Sequence, residues 1–177
     1  MDHGDISWML ISSALVLLMT PGLAFFYGGM VKRKSVVNMI MSSAIMMGIG
    51  SIMWVLVGFS LSFSGDVGGV IGNLNWFGLR FDTLTDVTLP YPNTLIFAIF
   101  QMMFAVIAPA LITGAVAERM KFSSLVIFMV LWSLLIYYPL AHMVWGGGLL
   151  FQMGSVDFAG GDVVHISSGV SALVLSI

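Results

Sequence analysis

Ile6-Ser-Trp-Met-Leu-Ile-Ser-Ser-Ala-Leu-Val-Leu-Leu-Met-Thr-Pro-Gly-Leu-Ala-Phe-Phe-Tyr-Gly-Gly-Met-Val31 carries no charged side chain. Crossing about 30 Å of hydrocarbon takes about 20 helical residues at about 1.5 Å each, so this run is long enough to span a bilayer. The residues ahead of it, Met1-Asp-His-Gly-Asp5, are acidic where a cleavable secretory signal needs a basic region. The run therefore reads as a true span. Thr20-Pro21-Gly22 near its middle predicts a break in the backbone ladder and a bend.

The rest of the chain has the same character. Of 177 residues, 59% are hydrophobic and 8% are charged, with a mean hydropathy of +1.07, against about 45 to 50% apolar and about 25% charged in a soluble domain. The chain reads as an all-α integral membrane protein, one membrane domain over residues 1–177 with five transmembrane helices. The second run extends from about Val36 to Phe63, the third from Thr94 to Ala117 and the fourth from Phe122 to Val144. A fifth opens near Gly160 or Gly161 and is still apolar at Ile177, which reads as a span truncated within a longer protein. Ser42, Ser43, Ala44, Gly48, Gly50 and Ser51 in the second run suit close helix packing. Between runs two and three lies a loop punctuated by Gly65, Gly68, Gly69, Gly72, Pro90 and Pro92, and containing Trp76, Phe77 and Phe81.

Basic residues concentrate on the cytoplasmic side of short loops. Lys32, Arg33 and Lys34 follow the first run and Arg119 and Lys121 follow the third, whereas only Arg80 lies in the long loop. This bias places the N-terminus outside, the long loop outside and the start of the fifth helix at an external mouth. The absence of Cys excludes a disulfide framework and thiolate metal sites.

That external mouth is Asp157-Phe-Ala-Gly-Gly-Asp-Val-Val-His165. Ionisable groups there are functional candidates by default. The Asp157 carboxylate can accept from the unpaired N–H groups of Ala159 to Gly161, either as a plain cap or as a cap that turns backbone carbonyls toward a cation. Asp162 suits a solvated acid at a helix N-terminus. His165 lies about one turn, roughly 5 Å, below the mouth. Ser168, Gly169 and Ala172 continue its face, directing the imidazole toward a packed partner or a lumen.

Trp145, ahead of Gly146, Gly147 and Gly148, suits either an interfacial anchor or a ring face for a cation, worth about 0.5 to 2 kcal/mol. Phe100 and Phe104 share one face of the third helix with Gln101 beside them, which ordinary packing also explains. His142 suits an interfacial group bonded to a carbonyl, and His3 a solvated one. The sequence holds no phosphate loop, nucleophile elbow or metal-ligand cluster, so neither an enzyme nor a cofactor is expected.

These residues resemble the ammonium transporter family (Amt/Mep/Rh) through essentially the whole chain. The resemblance rests on Pro21-Gly-Leu-Ala-Phe-Phe-Tyr-Gly-Gly-Met30, Phe100-Gln-Met-Met-Phe104, Ala117-Glu-Arg119, Ala141-His-Met-Val-Trp-Gly-Gly-Gly148, and Asp157-Phe-Ala-Gly-Gly161 followed by Val163-Val-His165. It implies that Trp145 and Phe100 border an external ammonium-recruiting vestibule and that Phe104 is one of two stacked gate phenyls. It implies that Asp157 builds the recruitment site through the backbone, and that His165 is one of twin pore histidines. It further implies a multi-pass plasma-membrane protein, a homotrimer with one pore per subunit. Ammonium or methylammonium is the implied substrate; no nucleic acid takes part.

Ammonium and potassium are similar in size, so selection needs a proton to give up, and imidazole titrates near working pH. Neutral ammonia then passes an apolar lumen that penalises any ion by several kcal/mol. Family members have about eleven spans in two inverted halves. This chain matches the first half; the second gate phenyl, the vestibule hydroxyl and the second histidine have no counterpart in it. An alternative use of such a half is an ammonium-sensing membrane domain coupled to a cytoplasmic signalling domain or regulator. A third is a non-conducting anchor.

Overall fold

The computed structural model describes residues 3–80 and 94–177. Phe81, Pro90 and Pro92 of the long loop lie outside the described residues. Among the described residues, four helices are long and apolar enough to cross a membrane: α1 (His3–Met30), α2 (Arg33–Phe63), α3 (Thr94–Val116) and α4 (Phe122–Gln152). A shorter apolar helix, α5 (Gly161–Ser176), follows. Among the described residues the β structure is an isolated bridge between Val67 and Ile71. The architecture is therefore the all-helical one expected from the apolar runs.

Pro21 does not interrupt α1, which is a single helix from His3 to Met30. Proline removes one N–H donor and crowds the turn before it, and here the helix continues past the loss. Irregularity falls elsewhere, at π-helical turns over Trp54–Gly58 in α2, Ser133–Tyr137 in α4 and Gly161–Ile166 at the start of α5. Such turns widen a helix by one residue and often lie at functional sites. The first two belong to a junction in which the Trp54 indole donates to Ala98 O at 2.9 Å and lies 5.9 Å from the Tyr138 ring.

α3 is the central helix: 61% of its most apolar stretch is buried, against 17% for α1. Ala98, Ala105, Ala108 and Ala110 are buried and let neighbouring backbones approach. On α2, Gly50 packs against Val106, and Ser43 Oγ lies 2.9 Å from Thr113 Oγ1. Thr113 donates its own proton to Ala110 O, so Ser43 is the donor of that pair. Ser42 is also buried, whereas Gly48 faces open space, so the expected packing stripe on α2 is real but narrower.

The short connections meet at one end of the bundle. A hydrogen bond from Ser35 holds the Glu118 carboxyl below its usual range, with Lys32 and Lys34 adding to the effect and burial opposing it. Arg119 Nη1 donates to Ser176 O at 2.8 Å, linking the connection after α3 to α5. The two basic connections thus share one side, as the charge bias requires.

Candidate functional site

At the opposite end, α3, the end of α4 and the start of α5 converge. A turn at 146–148 interrupts α4 after Trp145, and beyond Gln152 the chain reaches Asp157, whose carboxylate collects four backbone N–H groups. Oδ1 accepts from Gly160 at 2.6 Å and Gly161 at 2.8 Å, and Oδ2 accepts from Asp162 at 2.8 Å and Val163 at 3.1 Å. The expected donor set is therefore shifted along the chain: Gly160 and Gly161 belong to it and Ala159 does not. The shift follows from Gly160, whose φ of 86° lies in the left-handed region and bends the chain back toward the carboxylate. Burial pushes the Asp157 carboxyl up, but the N–H bonds outweigh it and hold the pKa below the usual carboxylate value.

The backbone of Asp157 has a second task, because its carbonyl accepts the Trp145 indole N–H at 3.0 Å. The Trp145 ring lies 6.4 Å from Phe104, and Phe104 lies 5.1 Å from Phe100, both pairs edge to face. These rings line one cleft of about 640 Å³ together with Gln101, Asp157 and His165. All five residues singled out from the sequence, Phe100, Phe104, Trp145, Asp157 and His165, are thus brought together at one cleft.

His165 sits in the π-helical turn, where Gly160 O accepts both the Val164 and the His165 N–H at 3.0 Å. Its imidazole is exposed and lines the cleft. Two turns further along the same face, Ala172 lines a second cavity of about 560 Å³ toward the Glu118 end, and Leu111 of α3 borders both cavities. The stripe of small residues below His165 therefore points from one cavity to the other, although Ser168 itself is buried.

Two features escaped the sequence reading. Gln101 is 8% exposed, and its Oε1 is buried without a hydrogen-bond partner among the described residues. His142 is fully buried; it meets a carbonyl as expected, Ser62 O at 3.1 Å, but also Asp66 Oδ1 at 3.0 Å. An acid among the glycines just after α2 was the available signal for Asp66, and nothing local ties it to a residue so distant in the chain.

The chain also resembles known proteins along almost its whole length. Residues 7–177 match the model of the Ammonium Transporter Family. The chain is 52% identical to the ammonium transporter of Bacillus subtilis strain 168, covering 100% of this chain and 44% of that protein. The crystal structure of Saccharomyces cerevisiae Mep2 superposes with a TM-score of 0.87 at 33% identity, covering 98% of this chain and 39% of that one. A solved structure described as a sensor Amt protein gives 0.86 at 28% identity, covering 95% and 42%. The chain thus spans less than half the length of these relatives. The curated relative carries the name ammonium transporter, and the family match over residues 7–177 reaches every helix from α1 to α5. On that basis, the chain belongs to the ammonium transporter family.

Proposed function

We propose that this chain supplies the first half of a transmembrane ammonium pathway. The observation that carries the reading is the single cleft joining Phe100, Phe104, Trp145, Asp157 and His165. In this reading Trp145 and Phe100 form the wall that recruits the cation from outside, each ring face contributing about 0.5 to 2 kcal/mol by cation–π attraction. Asp157 acts through what it holds: its carboxylate oxygens are occupied by backbone N–H groups, which leaves it to fix the α5 start and the Trp145 indole. Phe104, edge-on to both neighbours, gates the passage.

Past the gate the ion meets apolar walls and loses hydration, so releasing a proton is favoured over carrying the charge. One N–H bond of ammonium breaks with its electron pair left on nitrogen, the proton passes to water on the vestibule side, and ammonia continues hydrogen-bonded to the His165 imidazole. Potassium has no proton to release and is rejected. The complete protein works as a homotrimer in the plasma membrane, with methylammonium as a substrate analogue.

The likeness to the sensor Amt protein favours a second reading, in which the same vestibule binds ammonium and reports to a cytoplasmic signalling domain or regulator. Methylammonium uptake by the complete protein separates the two. Transport requires saturable uptake that Trp145→Leu weakens mainly at low concentration and His165→Ala alters in rate or selectivity. Uptake indifferent to both substitutions sinks the transport pathway.

A further inference from the structure

A buried junction beneath Trp145 has no part in the pathway just described. His142, one turn before Trp145 in α4, is 0% exposed. Its Nδ1 lies 3.1 Å from Ser62 O, near the end of α2, and its Nε2 lies 3.0 Å from Asp66 Oδ1 in the connection after α2. Its main-chain carbonyl accepts the N–H groups of Gly146 and Gly148, both at 3.0 Å. Asp66 Oδ1 also accepts the Gly69 N–H at 2.8 Å, and Gly69 O accepts the Leu149 N–H at 2.7 Å. One histidine and one aspartate therefore tie the end of α2 and the following connection to the turn that leaves Trp145. The approach is backbone-tight: a Cβ on Gly148 would lie 2.6 Å from Gly69 O, and one on Gly146 would collide with Ser62 O.

Both partners of the ring are hydrogen-bond acceptors. A carbonyl and a carboxylate oxygen only accept, so a ring that satisfies both donates from both nitrogens and is positively charged. A neutral ring would leave one lone pair facing an oxygen, at a cost of about 1 to 3 kcal/mol. Asp66 supplies the counter-charge, and at 46% exposure it stays in contact with solvent. His142 hydrogen-bonding holds the Asp66 carboxyl below its usual range.

We infer that Asp66 and His142 are positioning residues for the recruitment site, clamping the turn after Trp145 so that its indole is fixed against Phe104 and the Asp157 carbonyl. The inference rests on the reading of Trp145 as the recruiting wall. Trp145 is then held from two sides, by Asp157 beyond it in sequence and by the charged pair before it.

The test uses the complete protein in cells lacking their own ammonium uptake, with methylammonium uptake measured over a concentration series and normalised to surface protein. Asp66→Asn keeps an oxygen for Gly69 and removes the counter-charge; it is expected to raise KM about threefold or more at unchanged Vmax. His142→Gln is expected to do the same. In a Trp145→Leu background, Asp66→Asn is expected to add less than about twofold, because coupled residues are not additive. A lowered surface amount with KM unchanged makes the pair merely structural and overturns the inference, as do KM effects that multiply in the double variant. Should His142→Gln fail to reach the surface, Asp66→Asn decides alone. If Trp145→Leu itself leaves KM unaltered, the vestibule reading fails and takes the inference with it. A Trp145→Leu effect without an Asp66→Asn effect overturns the inference only.

Discussion

The indole nitrogen of Trp145 donates to the main-chain carbonyl of Asp157 at 3.0 Å, so the ring that walls the cleft and the carboxylate that caps α5 belong to one unit. Disturbing the cap therefore moves the wall. In Asp157→Asn one carboxylate oxygen becomes an amide nitrogen, and two of the four N–H donors then face a donor. Leaving such groups unpaired costs about 1 to 3 kcal/mol. Thermal unfolding in detergent should show that loss, and uptake per surface molecule should fall with it.

The same cap has a defined response to acid. The Asp157 carboxyl is held below its usual value of 3.8, because its N–H bonds outweigh burial. A depressed carboxyl stabilises the fold above its unfolded pKa and loses that contribution as pH falls through the folded value. The cap should thus be intact from neutral pH down to about pH 4 and weaken only below it. Unfolding midpoints measured against pH should decline more steeply below pH 4 in the wild type than in Asp157→Asn, which has no carboxylate there to titrate.

His165 presents the opposite case, a side chain exposed to the cleft in a helix whose packing lies on other faces. His165→Ala should change stability by no more than about 0.5 kcal/mol, as at other exposed positions. Methylammonium and ammonium flux should change far more than membrane insertion or melting. Unaltered flux and selectivity would remove the pore role.

The helices were legible because a lipid-spanning segment declares itself in composition: Thr94 and Phe122 begin α3 and α4 where the apolar runs begin. At Pro21 the local rule for backbone donors meets a helix that continues past it from His3 to Met30. The Asp157 cap was legible as chemistry but not in register, since the left-handed turn at Gly160 moves the donor set from Ala159–Gly161 to Gly160–Val163. Phe100 and Phe104 share a face by helical spacing, yet their meeting with Trp145 depends on how α3 packs against α4, which local pattern does not encode. The Asp66–His142 pair lies 76 residues apart and was invisible for the same reason.

Gln101 offers a case where stability and function should diverge. It is 8% exposed, sits between Phe100 and Phe104 in the cleft wall, and its Oε1 is buried without a partner among the described residues. A lone buried acceptor costs about 1 to 3 kcal/mol, and an apolar side chain of similar shape avoids that cost. Gln101→Met should therefore raise the unfolding free energy by about 1 kcal/mol. The amide is also the polar group beside the proposed gate, and by turning about its side chain it can offer that oxygen to an ammonium N–H. Uptake at low methylammonium should then fall in the same variant. A more stable protein with undiminished uptake would show that the amide is only a tolerated packing cost.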